Sequence, residues 1–185
     1  RLARSTVVPY LQRIEKMLSG MLVRKPVRLD DVSDLVREQL FDVDLEGNDL
    51  NIWLYQTARI VISFGHCGVL VDAPKEGEKA RPYWVTYKPS DILGWRTEVI
   101  DGARVLTQVR LLEKVVEPDG AYGEKNITQV RVLERGRYEI HRKDDKKGEY
   151  KLFEEGEMSL KDKIPFAVAY SNRVGFYESR SPLYD

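Results

Sequence analysis

The chain has 185 residues, 42% of them hydrophobic and 32% charged, and its 30 basic and 30 acidic residues cancel. The balance is also local, with nine bases and nine acids in 1–68 and twenty-one of each in 69–185. Such a chain can fill a core, but neither half is a basic face for phosphates, one cysteine excludes an internal disulfide framework and fits a reducing compartment, and no apolar run is long enough to span a bilayer.

In chain order, Val7, Tyr10, Leu11, Ile14, Met17, Leu18, Met21 and Leu22 recur at three- and four-residue spacing. That period predicts a helix with one buried face, with Pro9 in its first turn and Pro26 beyond its end. Asp30 or Asp31 is expected to cap a second helix, buried through Val32, Leu35, Val36, Gln39 and Leu40. Asn48 or Asp49 is expected to cap a third, carrying Leu50, Trp53, Leu54, Thr57, Ala58, Ile60 and Val61 and ended by Gly65 and Gly68.

From Val69 the period changes to two. A short apolar strand at 69–71 and a charged loop at 75–79 precede the aromatic stretch 81–96. There, strands at 83–87 and 92–99 are expected to form a hairpin around the Lys88-Pro-Ser-Asp corner, because Pro89 lacks an amide hydrogen and breaks the ladder. Asp101-Gly102 signals a type I′ hairpin turn. Turns at Pro118-Asp-Gly120, Arg135-Gly136 and 144–148 separate further strands, and Ile164-Pro-Phe-Ala-Val-Ala-Tyr170 closes the series. The expected class is α+β: N-terminal helices in 1–68 packed on a mainly antiparallel, meandering β-rich part in 69–185, together one compact domain. Trp53, Tyr83, Trp84, Tyr87, Trp95, Phe166 and Phe176 are its candidate core or interaction aromatics.

Groups able to do chemistry are sparse. Asp42-Val-Asp-Leu-Glu-Gly47 imitates the start of a calcium loop, but Trp53 holds the twelfth position, where a bidentate carboxylate is required. A helix-capping connector is the expected reading. His66 and Cys67 are adjacent, so on an extended segment they face opposite ways and make a poor base–nucleophile pair. His141 alternates with Ile140 and is expected to be exposed. A hydrolase using Asp72, His66 or Asp91 would need those groups in one pocket, which no spacing suggests. No enzyme, metal or cofactor is expected. The alternative to a structural role is a nucleic-acid-binding module, stacking bases on the aromatic and basic residues of 81–96.

Several segments resemble, in matching order and over nearly the whole chain, an uncharacterised family of tailed-phage and prophage proteins related to portal proteins. They are Arg24-Lys-Pro26, Gly68-Val-Leu-Val-Asp72, Arg81-Pro-Tyr, Asp91-Ile-Leu-Gly-Trp-Arg96, Ile164-Pro-Phe166, Tyr170-Ser-Asn-Arg173, Gly175 and Pro182-Leu183. The resemblance implies a subunit of the ring at a capsid vertex through which double-stranded DNA is packaged and ejected. It implies the wing-like region of that subunit, with copies of itself as neighbours and capsid and terminase proteins reached through the parent assembly. Double-stranded DNA is then not expected to touch this part, no catalytic residues are carried over, and the location is the virion or the host cytoplasm. The chain opens on Arg1 and stops at Asp185, where a new element is expected to begin, so it is expected to be a fragment of a longer protein.

Overall fold

The computed structural model describes residues 10–73, 81–144 and 148–183. Val7, Pro9, the charged loop at 75–79 and part of the 144–148 turn lie outside the described residues. The elements in order are α1 (Tyr10–Leu22), α2 (Asp34–Gln39), α3 (Leu50–Phe64), β1 (His66–Asp72), β2 (Tyr83–Tyr87), a 3-10 turn (Pro89–Asp91), β3 (Ile92–Ile100), β4 (Ala103–Asp119), β5 (Gly123–Glu134), β6 (Arg137–Lys143), β7 (Tyr150–Glu157), β8 (Phe166–Tyr170), β9 (Asn172–Gly175) and β10 (Glu178–Arg180). The class is α+β with mainly antiparallel sheets, as expected.

The chain forms two compact units, Arg1–Thr86 with Ala167–Asp185, and Tyr87–Phe166. The division therefore does not follow residue 68: the helices share a unit with β1, β2 and the C-terminal strands. Nor do the strands make one meander. They form a three-stranded sheet in the order β2-β1-β8, a β10-β9 pair and a five-stranded sheet in the order β3-β4-β5-β6-β7.

In the first unit, Asp49 caps α3, its Oδ1 accepting the Ile52 amide at 2.8 Å. Trp53, Thr57 and Ile62 are the buried positions of that helix. It ends at Gly65, whose φ of 91° suits a residue without Cβ, and β1 begins at His66. Gly68 lies inside β1 and stops nothing. The backbone carbonyl of Gly65 accepts both the amide and the hydroxyl of Ser171, and the buried Ser181 hydroxyl donates to the Ile62 carbonyl at 2.6 Å. These bonds stitch the C-terminal segment onto the end of α3.

α2 departs from expectation. Its cap is Ser33, and none of its residues is buried; Leu35 and Val36 are exposed. A six-residue helix is barely two turns long, too short to carry a buried stripe of its own.

In the second unit, Asp101 and Gly102 have φ of 51° and 77°, the pair of positive values that a type I′ turn demands, and Ile100 pairs with Ala103 across them. The five strands run antiparallel in chain order. One cross-strand row runs Trp95, Val109, Leu133, Tyr138, Gly156. Val109, Leu111, Leu133 and Ile140 are buried, together with Tyr87, Ile164 and Phe166, which open and close the unit.

Replacing Gly65 by Ala is expected to cost the first unit about 2–4 kcal/mol, because the positive φ is joined by a new Cβ 2.9 Å from the backbone of Arg180 and Ser181. Gly47→Ala, at φ of 85° but with nothing within 4 Å, is expected to cost only about 1 kcal/mol. Denaturant midpoints of the two variants test the contrast; equal losses would show that the close approach at Gly65 does not matter.

Candidate functional site

The seven candidate aromatics divide between the two units. Trp53 is buried, and its ring meets Trp84 edge to face with centres 4.7 Å apart at 69°. The Trp84 amide donates to the Val43 carbonyl at 2.7 Å, and the Tyr83 hydroxyl donates to the Asp72 carboxylate at 3.2 Å. Phe176 stacks on Tyr177, centre to centre 4.5 Å, at the tip of the β9–β10 hairpin. In the second unit Tyr87 lies 6.3 Å from Phe166 with both rings buried, and Trp95 sits half-buried in the cross-strand row.

The expected hairpin of 81–96 is not formed. β2 and β3 belong to different sheets, and the 3-10 turn at Pro89–Asp91 carries the chain from one to the other. Arg81 pairs with Asp42 at 2.8 Å. The rings and bases proposed as a stacking platform are thus not side by side on one strand pair, and several rings are spent in packing.

Around Glu113 the second unit builds a polar cluster that sequence reasoning missed. Its carboxylate accepts the Tyr87 hydroxyl and the buried Gln129 amide, each at 2.7 Å, and Arg131 Nε lies 2.9 Å away as an ion pair. Arg142 continues the row: Nε donates to Gln129 Oε1 at 3.3 Å, a terminal nitrogen reaches Glu117 at 2.7 Å, and its guanidinium sits 3.4 Å above the Phe153 ring centre. Glu113, Gln129 and Arg142 are direct cross-strand neighbours. Their periodicity is visible in the sequence; their register is not. Each group in this cluster is occupied by another, which makes it a brace for the sheet.

The acidic connector before α3 is also occupied. Asp42 accepts the Gly47 amide at 3.0 Å, and Asp44 accepts the Glu46 amide and both the backbone and side-chain nitrogens of Asn48. Burial pushes the Asp44 carboxyl up, but these donors together outweigh it and hold it below the ordinary value. Among the described residues no group of three or more His, Cys, Asp and Glu could hold a metal ion.

His66 and Cys67 point to opposite sides of β1, as their adjacency requires. Burial lowers the His66 imidazole and pushes the Cys67 thiol up to about 11, with the Ala169 amide opposing weakly. A thiol so raised is a poor nucleophile. Asp72 accepts the Ala73 amide as well as the Tyr83 hydroxyl, and Asp91 accepts the Ser90 hydroxyl within the second unit. His141 is half-buried and 2.9 Å from Glu139, not exposed as its alternation suggested, because the two-residue period of β6 puts the imidazole and the carboxylate on the same face of the strand.

No protein-family model matches the chain, and no curated protein matches it. No helix among the described residues is long and apolar enough to cross a membrane.

α1 presents an exposed apolar face. The helix turns Leu18 and the buried Ser19 inward and ties Glu15 to Arg59 of α3 at 2.6 Å. Tyr10, Leu11, Ile14, Met17, Met21 and Leu22, expected as its buried stripe, are exposed. The expected core face is therefore an outer face, because the contact with α3 is made through a narrow, partly polar strip. Leu35 and Phe41 add to the exposed apolar surface of this unit.

Trp53→Ala is expected to destabilise the first unit by about 3–5 kcal/mol, the cost of emptying a buried aromatic site. Denaturant unfolding checks it; a fully stable variant would show that the Trp53–Trp84 contact is not structural.

The pH dependence follows from the named groups. His66 is held neutral, so its burial costs nothing at neutral pH and destabilises as pH falls below 6.5. Asp44, and Glu134 held low by Gln108 and Arg137, stabilise above the ordinary carboxylate range, and that stability is lost as pH falls through it and below. The unfolding midpoint is expected to drop in two stages on acidification, with His66→Gln abolishing the first and Asp44→Asn reducing the second. A midpoint that stays flat from neutral to acid pH would contradict all three assignments.

Proposed function

We infer that this chain is a structural component of a phage or prophage virion, the wing-like region of a portal-type subunit that forms a ring at the capsid vertex for DNA packaging and ejection. The observation that carries the reading is the exposed apolar stripe of α1, with Tyr10 at 66% and Met21 at 63% exposure. A contiguous apolar face of this kind marks a surface that an assembly covers. The sequence resemblance supplies the identity of that assembly. Its partners are copies of itself, with capsid and terminase proteins reached through the parent ring, and double-stranded DNA is not contacted by this part. A zero net charge agrees with such a role, since it leaves copies free to approach one another without long-range repulsion. The alternative nucleic-acid module has the burial of Tyr87 and the packing of Trp84 on Trp53 against it.

Electron microscopy of the full-length protein is expected to show closed rings with a central channel. Uniform monomers that instead bind single-stranded nucleic acid, with affinity falling steeply as salt is raised, would replace this reading with the stacking module.

A further inference from the structure

The even charge count of 1–68 conceals a split. Residues 10–28 hold five bases, Arg13, Lys16, Arg24, Lys25 and Arg28, and one acid, Glu15, which is turned inward onto Arg59. Residues 30–46 hold seven acids and one base, Arg37. Two of those acids are occupied, Asp42 by Arg81 and Asp44 by Asn48. The other five, Asp30, Asp31, Asp34, Glu38 and Glu46, are exposed and have no ion-pair partner among the described residues, and the same holds for the five bases.

Both stretches also carry exposed apolar side chains. On α1, Tyr10, Ile14, Met17 and Met21 recur at four-, three- and four-residue spacing and so fall on one line, and Arg13 and Lys16 follow it along one edge. On α2, Asp34 and Glu38 are one turn apart and share a face, with Leu35 beside them at 69% exposure. Phe41, 72% exposed, follows, and with Val27, Leu29, Leu40 and Leu50 it makes the apolar side of a hollow of about 110 Å³. That is less than the roughly 150 Å³ that admits benzene, and suits one aliphatic side chain. Methionine, unbranched and deformable, fits such a space. The first unit therefore presents two apolar surfaces of opposite charge. Stripe on stripe would set bases against bases, and the 30–46 surface on itself would set acids against acids. Each surface finds its complement in the other one, carried by every further copy of the chain.

We propose that the α1 stripe of one copy of this chain docks on the 30–46 surface of the next, Arg13 and Lys16 toward Asp34 and Glu38, the methionines over Leu35, Phe41 and the hollow. Two different patches meeting head to tail are what a cyclic assembly requires. The contact between copies stands on the charges and exposures just described; only its closure into a ring rests on the portal reading. Opposite charges steer the patches together and set their register, while the apolar contact supplies most of the affinity.

Two variants of the full-length protein test the contact. Asp34→Lys with Glu38→Lys reverses the charge beside Leu35, and Arg13→Glu with Lys16→Glu reverses it along the stripe. Each alone is expected to weaken self-association at least about tenfold by sedimentation, with circular dichroism unchanged. Mixed in equal amounts, the two are expected to associate with each other, because the unaltered stripe of one meets the unaltered 30–46 surface of the other; a merely structural role for these residues would not produce that recovery. The unaltered protein supplies a readout free of any folding defect, since its association is expected to weaken as sodium chloride is raised. Variants that associate as the unaltered protein does, variants that fail to recover on mixing, or association indifferent to salt overturn the contact even if microscopy still shows rings. Recovery on mixing that yields only dimers or open chains of copies upholds the contact while sinking the ring, and a chain that stays monomeric at every concentration overturns both.

Discussion

The second unit depends on the register of one antiparallel sheet. Trp95, Val109, Leu133, Tyr138 and Gly156 lie in a single row across five strands. Gly156 has no Cβ, and an added one would stand 2.8 Å from the Tyr138 ring, so the tyrosine lies across the glycine and donates to Glu154. A slip of one residue would turn every side chain of a strand to the other face. It would carry Val109 and Leu111, both wholly buried, into water, and would scatter Glu113, Gln129 and Arg142 from the row they share. The polar cluster and the apolar core are thus consequences of the same alignment.

That alignment also has an outward consequence. β4 and β5 are 17 and 12 residues long, while β3 and β6 are 9 and 7, so the central pair must project beyond its neighbours. Arg142 links the two features, completing the inner cluster through Gln129 and holding the projecting pair of strands through Glu117.

The first unit shows how a small polar contact can redirect a helix. The Glu15–Arg59 pair and the Ser19 hydroxyl, which bonds back to the Glu15 carbonyl, make the inner side of α1 narrow and partly polar. A partly exposed ion pair contributes little stability by itself, commonly less than about 1 kcal/mol. Its effect here is orientational, since the inward acid leaves the accompanying bases and the apolar stripe on the outer side. A helix with that distribution has more apolar surface than its own unit covers, and association is the physical means of burying the rest.

Features set by a few adjacent residues were legible in the sequence. Asp49 capping α3, Gly65 ending it and Asp101-Gly102 turning β3 into β4 follow from local hydrogen bonding and allowed φ, which need no distant partner. The β9–β10 hairpin has no local sequence signal because its turn is Phe176-Tyr177, with Tyr177 at φ of 59° where glycine or asparagine is usual. The corner at Pro89 was misleading for a related reason: proline's fixed negative φ ends the strand but cannot supply the positive φ of a two-residue hairpin turn, and β3 joins another sheet. By itself the sequence determined the periods, the caps and the glycine turns, since these express the dihedral preferences of neighbouring residues. Only the tertiary structure decided which strands pair, which face of α1 is covered, and that Glu113 meets Tyr87, because those outcomes depend on burial against groups tens of residues away.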